Sequence, residues 1–597
     1  MIILSRLIPI NPARRKAVIE LKRWLKYIKP YKKYFILGPI CMIVEVIGEV
    51  ILPKLLSVII NAGNAGTLTV GSSMGTMSLM ILTAVMMMAG GVGGSYYGAK
   101  ASVNFAADLR EDAFAKVQNY SFANIDKYST GSLVTRLTND ITQLQNFVNM
   151  MLRLALRAPG MLVAALIMAI IIKPTLSVVF LVTIPLMLLV LTSLIATGFM
   201  RFKNLQKKID DLNSTVQENV TNIRVVKSFV REEHEKTKFE KANVELKNAS
   251  LSAMKVMVAM QPIVTLIMNL TTLAVVWFGG RIVLKGGMEI GDLSAFITYV
   301  SQVLISLMMI TMMSMFSSRA FASARRICEV LDEKVDLQDD NAAFPELEVK
   351  NGAIEFRNVS FRYDKKAQSN VLEHISFSIE PRTTVGIIGS TGCGKSTLVS
   401  LISRLYDADK GEVLVDGVNV KDYSLKNLRQ GVGVVLQKNT LFSGTIAENL
   451  RWGDRDATDD EVRAAAKNAQ ADKFISSFTE GYETVLDQGG TNISGGQKQR
   501  LCIARALLKK PKVIILDDST SAVDTATEAQ IRRAFKNQLF DSTKIIIAQR
   551  ISSVMDADKI IVMNEGRITG IGTHDSLLAG NTEYQEIYYS QTDKKEA

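Results

Sequence analysis

The sequence has little cysteine. Four residues in 597, Cys41, Cys328, Cys393 and Cys502, show no spacing that would serve a metal or a disulfide framework. One of them lies inside a glycine-rich loop, so the second half of the chain reads as working in a reducing interior. The N-terminus has basic residues but lacks a short apolar core ending in a small-residue cleavage site, so no removable signal peptide is expected. Acids are nearly missing from residues 1–33, where Glu20 stands alone against Arg6, Arg14, Arg15, Lys16, Lys22, Arg23, Lys26, Lys29, Lys32 and Lys33. Such a load stays on the cytoplasmic side of a membrane. It also supplies much of the formal charge of +12, so that charge does not call for nucleic acid as a partner.

What the chain has in excess is apolar surface. Hydrophobic residues make up 48% of it and the mean hydropathy is +0.17, high for a wholly soluble protein. The excess lies before about residue 316, and the charged, glycine-punctuated part follows. Apolar spans run near 35–60, 75–98, 149–171, 174–197, 254–279 and 292–316, each long enough to cross a hydrocarbon core of about 30 Å. Residues 61–73 carry no charge and Lys173-Pro174 reads as a tight turn, whereas 100–149 and 201–255 are long and rich in both signs. Positive-inside reasoning places these long connections, the N-terminus and everything after the sixth span in the cytoplasm. Their helical patterning predicts membrane helices that continue well beyond the bilayer.

Glu45 and Glu49 stand four apart in the first span and so share a helix face, with Pro53 and Lys54 a turn further on. Charges at membrane depth face a cavity or a partner charge. They form a polar wall for a cationic or amphipathic substrate, or an internal pairing such as Glu with Lys54, or they lie near the membrane surface. Two methionine clusters, Met86 to Met88 and Met308, Met309, Met312, Met313 and Met315, fit either an adaptable substrate surface or ordinary helix packing.

Residues 332–347, with their acids, Asn341 and Pro345, read as a linker, and strand-like and helical runs alternate after it, as an α/β domain requires. Residues 384–388 (TVGII) form a strand, 389–397 (GSTGCGKST) a loop and 398–405 (LVSLISRL) a helix. Gly389, Gly392 and Gly394 let backbone N–H groups turn inward around phosphate oxygens, with Ser390, Thr391 and Cys393 between them. Lys395 adds a point charge, the Ser396 hydroxyl suits Mg²⁺, and Thr397 follows. Upstream, Tyr363 ends a strand with a ring able to stack on adenine. Gln437 offers a neutral side chain able to reach Mg²⁺ or water. Ser494, Gly495, Gly496 and Gln497 open a helix whose bare N–H groups would bind a phosphate, not necessarily that of the same nucleotide. Asp517 and Asp518 end a buried-type strand, the first placed to reach Mg²⁺ and the second to orient an attacking water. Asp524 lies in the turn that follows, and Gln549 comes after another apolar strand.

In this order the motifs resemble those of an ABC exporter half-transporter, over nearly the whole chain. Tyr363 matches the adenine-stacking aromatic, Gly389 to Ser396 the Walker A loop, Gln437 the Q-loop, Ser494 to Gln497 the signature, Asp517 the Walker B aspartate and Asp524 the D-loop. The resemblance implies a multi-domain chain: a basic segment 1–33, a six-helix membrane domain 34–331, the linker 332–347 and an α/β P-loop ATPase domain 348–597. It implies ATP and Mg²⁺ as cofactors and a second half-transporter as partner, each ATP lying between one Walker A loop and the opposite signature. Segments near 122–138 and 218–229 resemble the loops whose short helices dock on the ATPase domains.

Two positions depart from the family pattern. Asp518 stands where glutamate is usual, and Gln549 where the switch histidine is usual. A carboxylate one methylene shorter is withdrawn by about 1.5 Å, misplacement of about 1 Å can cost a hundredfold in rate, and glutamine cannot carry the proton that histidine can. The chain therefore resembles the degenerate-site subunit of heterodimeric bacterial multidrug exporters, its signature completing a partner's catalytic site. The expected role is export of amphipathic drugs or lipids across a bacterial cytoplasmic membrane. A homodimeric lipid or peptide exporter, and an ATP-gated channel or regulatory membrane protein, are the alternatives; a soluble ATPase acting on nucleic acid is incompatible with six apolar spans.

Overall fold

The structure, a computed structural model, describes residues 23–339, 342–365, 367, 369–518 and 525–592. Of these, the residues up to Gln118 and those from Thr130 to Asp332 form one compact unit; Asn119–Ser129 and the residues from Glu333 onward form a second. The basic residues 1–22 lie outside the described residues.

The first unit is helical. Lys32–Asn64, Val70–Gln118, Val179–Thr221, Glu232–Leu284 and Ile290–Asp332 are each one helix, and the third span is built by Ile141–Leu154 and Arg157–Ile172. Six helical segments are long and apolar enough to cross a membrane, as the hydropathy predicted. At 1.5 Å per residue the 53-residue helix Glu232–Leu284 reaches about 80 Å, more than twice the hydrocarbon thickness. The charged stretches between spans are therefore largely helix. At the tight turn, Lys173 is extended and Pro174 takes the first position of a new helix, where its missing N–H costs nothing.

Phe296, Tyr299, Val300 and Leu304 on the last helix are buried with Val46, Val50, Ala165 and Leu191 in the core of this unit. Leu181, Leu189 and Ile81 point outward, an apolar face suited to lipid. The first two helices approach through glycine: a Cβ on Gly90 would stand 2.7 Å from the Cys41 carbonyl oxygen. Among the methionines, Met87 packs onto Gly48 and Met86 and Met88 face outward; the side chain of Met315 lies outside the described residues.

Pro53 sits inside the helix Lys32–Asn64 and has no N–H for the carbonyl of Glu49, four residues back. Gln302 Nε2 donates to that oxygen instead, at 3.0 Å. Tyr299 Oη donates to the next carbonyl, that of Val50, at 2.7 Å. In hydrocarbon no water can substitute, so the last helix supplies the donor the first one lacks at Glu49 and adds a second at Val50.

The second unit has two main sheets. The larger runs in the order Arg567–Gly572, Lys559–Asn564, Thr384–Gly389, Thr543–Ile547, Val513–Asp517 and Val432–Val435. Its pairs are parallel except the first, which is antiparallel. Parallel strands are covered on both faces, which is why Val513–Asp517 is buried throughout. The smaller sheet is antiparallel, in the order Leu372–Ile379, Ile354–Phe361, Lys410–Val415 and Val418–Asn419. Phe356 and Ile375 bring it into one core with Ile387 and Leu398. Helices Asp459–Asn468 and Gly495–Leu508 share a separate core with Ile514 and Leu516.

The short helix Phe122–Lys127 belongs to this second unit although its sequence neighbours do not. Ser121 caps it: its hydroxyl accepts from the Asn124 N–H, and the Asn124 side chain accepts from the Ser121 N–H. Tyr406 Oη donates to Asp126 at 2.5 Å, Lys127 Nζ donates to Glu333 at 2.7 Å, and the Phe122 ring lies 6.2 Å from that of Tyr406. The expected linker is likewise tied in, with Leu425 N–H donating to Asp339 at 2.9 Å. The other expected docking segment forms the helix Ile223–Ser228 in the first unit and buries none of its residues. Phe229 and Val230 beyond it are 71% and 80% exposed.

Gln302→Leu leaves the Glu49 carbonyl without a donor and should destabilise the detergent-solubilised protein by about 1–3 kcal/mol. Adding Pro53→Ala restores the helix's own donor. Thermal unfolding should show a lower midpoint for the single variant and recovery in the double.

Candidate functional site

The strand Thr384–Gly389 lies between two parallel neighbours and delivers Gly389 to the C-terminal edge of the sheet, where open α/β sheets bind ligands. A Cβ on Gly389 would stand 2.1 Å from the Met563 carbonyl oxygen, so no other residue fits there. Gly394, at φ 97°, is the left-handed residue that lets the loop enter the helix Lys395–Ile402. Lys395 is buried and its Nζ crosses its own loop, donating to the carbonyls of Gly389 and Ser390 at 2.8 Å each.

Around this loop is a cleft of about 300 Å³, lined by Tyr363, Thr391, Gly392, Gly394, Lys395, Ser396, Thr397, Gln437, Asp517, Asp518 and Gln549. These residues come from five segments of the chain and are all residues the sequence pointed to; Val371 and Ile547 also line the cleft and were not expected there. Ser396 Oγ donates to Asp517 Oδ1 at 3.0 Å. A hydroxyl and a carboxylate oxygen that close together are hard donors suited to Mg²⁺. Ser396 and Asp517 are thus residues that would hold Mg²⁺ in company with a triphosphate. Tyr363 is half exposed and hydrogen-bonds Thr397 at 3.0 Å. Its ring stands edge-on to Phe361 and Tyr406, 5.0 and 5.2 Å away, and Tyr406 is a residue the sequence reading passed over.

The two acids differ. Asp517 is buried, and burial pushes its carboxyl above the usual range, opposed by the Ser396 hydrogen bond. Asp518 is also pushed up by burial, with Gln437, Lys395 and Arg550 acting the other way. Its backbone is left-handed, at φ 45°, and its N–H donates to the Ile547 carbonyl at 3.0 Å. Gln549 Nε2 donates to Asp518 Oδ2 at 3.1 Å, so the two residues that break the family pattern hold each other.

Other expected residues fall elsewhere. Ser494 caps the helix Gly495–Leu508 in a capping box with Gln497, but Ser494 to Gln497 are not among the residues lining the cleft. Asp524 lies outside the described residues. Cys393 is 3% exposed, its sulfur beneath the loop 3.7 Å from Lys395 Nζ, and it is not among the residues lining the cleft.

Glu45 and Glu49 lie in the first unit. Their expected partner, Lys54, pairs with Asp292 at 2.7 Å. Both carboxylates instead meet Arg157 Nη2, at 3.2 Å from Glu45 and 2.8 Å from Glu49. Arg157 went unremarked in the sequence; an arginine inside an apolar span was the available signal. One guanidinium serves two carboxyl groups, and Glu45 Oε2 and Glu49 Oε2 are buried without hydrogen-bond partners.

Comparison with known proteins follows the same division. The family pattern described as ABC transporter transmembrane region matches residues 35–308, and that described as ABC transporter matches residues 372–521. The chain is 39% identical over 581 residues to the uncharacterised ABC transporter ATP-binding protein YfiB of Bacillus subtilis, covering 96% of this chain and 98% of that one. It is 37% identical over 577 residues to an ABC transporter ATP-binding protein of Mycobacterium tuberculosis, covering 95% and 97%. A solved bacterial Atm1-family ABC exporter with ATP bound superposes with a TM-score of 0.76 at 24% identity, over 94% of this chain and 98% of that one, a likeness of fold.

A carboxyl whose pKa folding raises stabilises the protein while protonated and loses that contribution as pH rises through its folded value. At pH 7 the Asp517 charge is therefore a cost to the nucleotide-free fold. Asp517→Asn should raise the unfolding midpoint of the nucleotide-free protein at pH 7, with the gain shrinking toward pH 4. It should also weaken Mg²⁺-dependent ATP binding by about tenfold or more, read by calorimetry.

Proposed function

This chain belongs to the ABC transporter family as a half-transporter, a six-helix membrane domain followed by an ABC ATPase domain, and from that premise we propose that it is the degenerate-site subunit of a heterodimeric exporter. Its membrane is the bacterial cytoplasmic membrane, with the ATPase domain in the cytoplasm, and its cargo is an amphipathic drug or lipid moved outward. The observation that carries this reading is the Asp518–Gln549 hydrogen bond, 3.1 Å long. A short carboxylate is held by a neutral amide that has no proton to exchange, at the place where hydrolysis needs a water aimed and a proton accepted.

In this reading Gly389 to Thr397 and Lys395 bind the triphosphate, Tyr363 faces the base, and Ser396, Gln437 and Asp517 hold Mg²⁺. The ion supplies neutralisation of phosphate charge. Asp518 is too short to orient water well, so the nucleotide is gripped and cleaved slowly. Asp524 belongs to the same set by its place in the sequence. Two observations support a second chain. Ser494 to Gln497 do not line this chain's own cleft, and the apolar tip at Phe229 and Val230 is exposed. Closure of the two ATPase domains around ATP then shifts the membrane domains from inward to outward facing, and hydrolysis at the partner's site resets them.

Asp518→Glu combined with Gln549→His should raise single-turnover hydrolysis at this chain's Walker site by about a hundredfold. No acceleration of the bound nucleotide's cleavage would refute the degenerate-site reading. For the membrane domain, the excess carboxylate beside Arg157 supports a cationic amphiphile as cargo. Glu49→Gln should cut uptake of a cationic dye into inverted vesicles several-fold while leaving a neutral lipid analogue unchanged.

A further inference from the structure

The C-terminal helix Thr582–Thr592 has no part in the site as read so far. Tyr584 on this helix is buried in one cluster with Ile388, Ala548 and Ile551. Ile388 immediately precedes Gly389 of the phosphate loop, and Ala548 immediately precedes Gln549. The helix is thus packed behind both loops that meet at the cleft.

Its polar contacts go to the same two places. In the first turn Glu583 accepts from Asn564 Nδ2 at 2.9 Å, and Asn564 Oδ1 accepts from Ser390 Oγ of the phosphate loop at 3.5 Å. In the last turn Gln591 Oε1 accepts from the Ile551 N–H at 2.9 Å. Its Nε2 donates to the Gln549 carbonyl at 2.8 Å. A carbonyl can only accept and an N–H can only donate, so this pair fixes the orientation of the amide. One side-chain amide therefore closes a ring over Gln549, Arg550 and Ile551, as a neighbouring strand's peptide would. The side chain of the same Gln549 reaches Asp518 at 3.1 Å.

Tyr584, with Ile587 and Tyr588 of the same helix beside it, docks the helix on this cluster. The Gln591 amide adds a constraint on backbone, since it sets where the Gln549 carbonyl stands and hence how far its side chain reaches. We propose that Gln591 is a positioning residue that latches the switch loop, so that the C-terminal helix governs how long nucleotide stays at this site. The proposal rests on Gln549 being the switch residue, as argued above.

The test uses the full-length protein in detergent. Gln591→Met keeps side-chain length and helix propensity but removes both bonds. Hydrogen exchange at Ile551 should accelerate while the strand Thr543–Ile547 stays protected, a pattern that general destabilisation would not produce. Release of a fluorescent ATP analogue with Mg²⁺ should quicken about fivefold, and Gln591→Glu, which keeps the acceptor and loses the donor, should give an intermediate effect. Gln549→Ala should also quicken release, and the double variant Gln549→Ala/Gln591→Met should be no faster than Gln549→Ala alone, because both act through one side chain. If Gln549→Ala does not alter release, the reading of the switch residue fails and the latch falls with it. If it does, but Gln591→Met releases at the wild-type rate or the two effects add, the latch is overturned while the reading of the site stands.

Discussion

The Asp518–Gln549 hydrogen bond exists because two parallel strands end side by side. Val513–Asp517 and Thr543–Ile547 pair in register, Asp517 opposite Ile547, and the Asp518 N–H closes the pairing on the Ile547 carbonyl. The left-handed backbone at Asp518 turns its carboxylate into the cleft, where the amide of Gln549 meets it. Everything proposed for the nucleotide site depends on that meeting. The phosphate loop on the next strand supplies the grip, and the pair supplies a poor means of cleavage.

Burial decides how charge is handled in both units. In the ATPase unit the Asp517 carboxyl is held above its usual range until a cation arrives, a cost the fold accepts at the site that needs it. In the membrane unit the donor missing at Pro53 comes from Gln302 on another helix, with Tyr299 donating to the next carbonyl, and the charges of Glu45 and Glu49 converge on Arg157. Neither arrangement can be relaxed by water, so each ties specific helices together.

Much of this was legible in the sequence. Spans of this length that are apolar on every face read as membrane helices, and glycines spaced for a phosphate loop between a strand and a helix leave little choice of structure. The cleft residues follow, because strand ends at one edge of a parallel sheet are brought together by topology. What stayed hidden depends on side-chain direction or on contacts far apart in the chain. Arg157 lies more than a hundred residues from its carboxylates. Cys393 sits in the right loop, yet its sulfur turns inward. Tyr406 and Gln591 belong to no motif, and only the packing of Phe122–Lys127 and of the C-terminal helix shows what they touch.

The most direct measurement reconstitutes this chain alone in liposomes and follows ATP consumption and uphill substrate movement together. Bound nucleotide, negligible turnover and no accumulation are expected until a second half-transporter with a glutamate and a histidine at the corresponding positions is added. Vigorous transport by the single chain, with both bound nucleotides consumed at equal rates, would contradict that expectation.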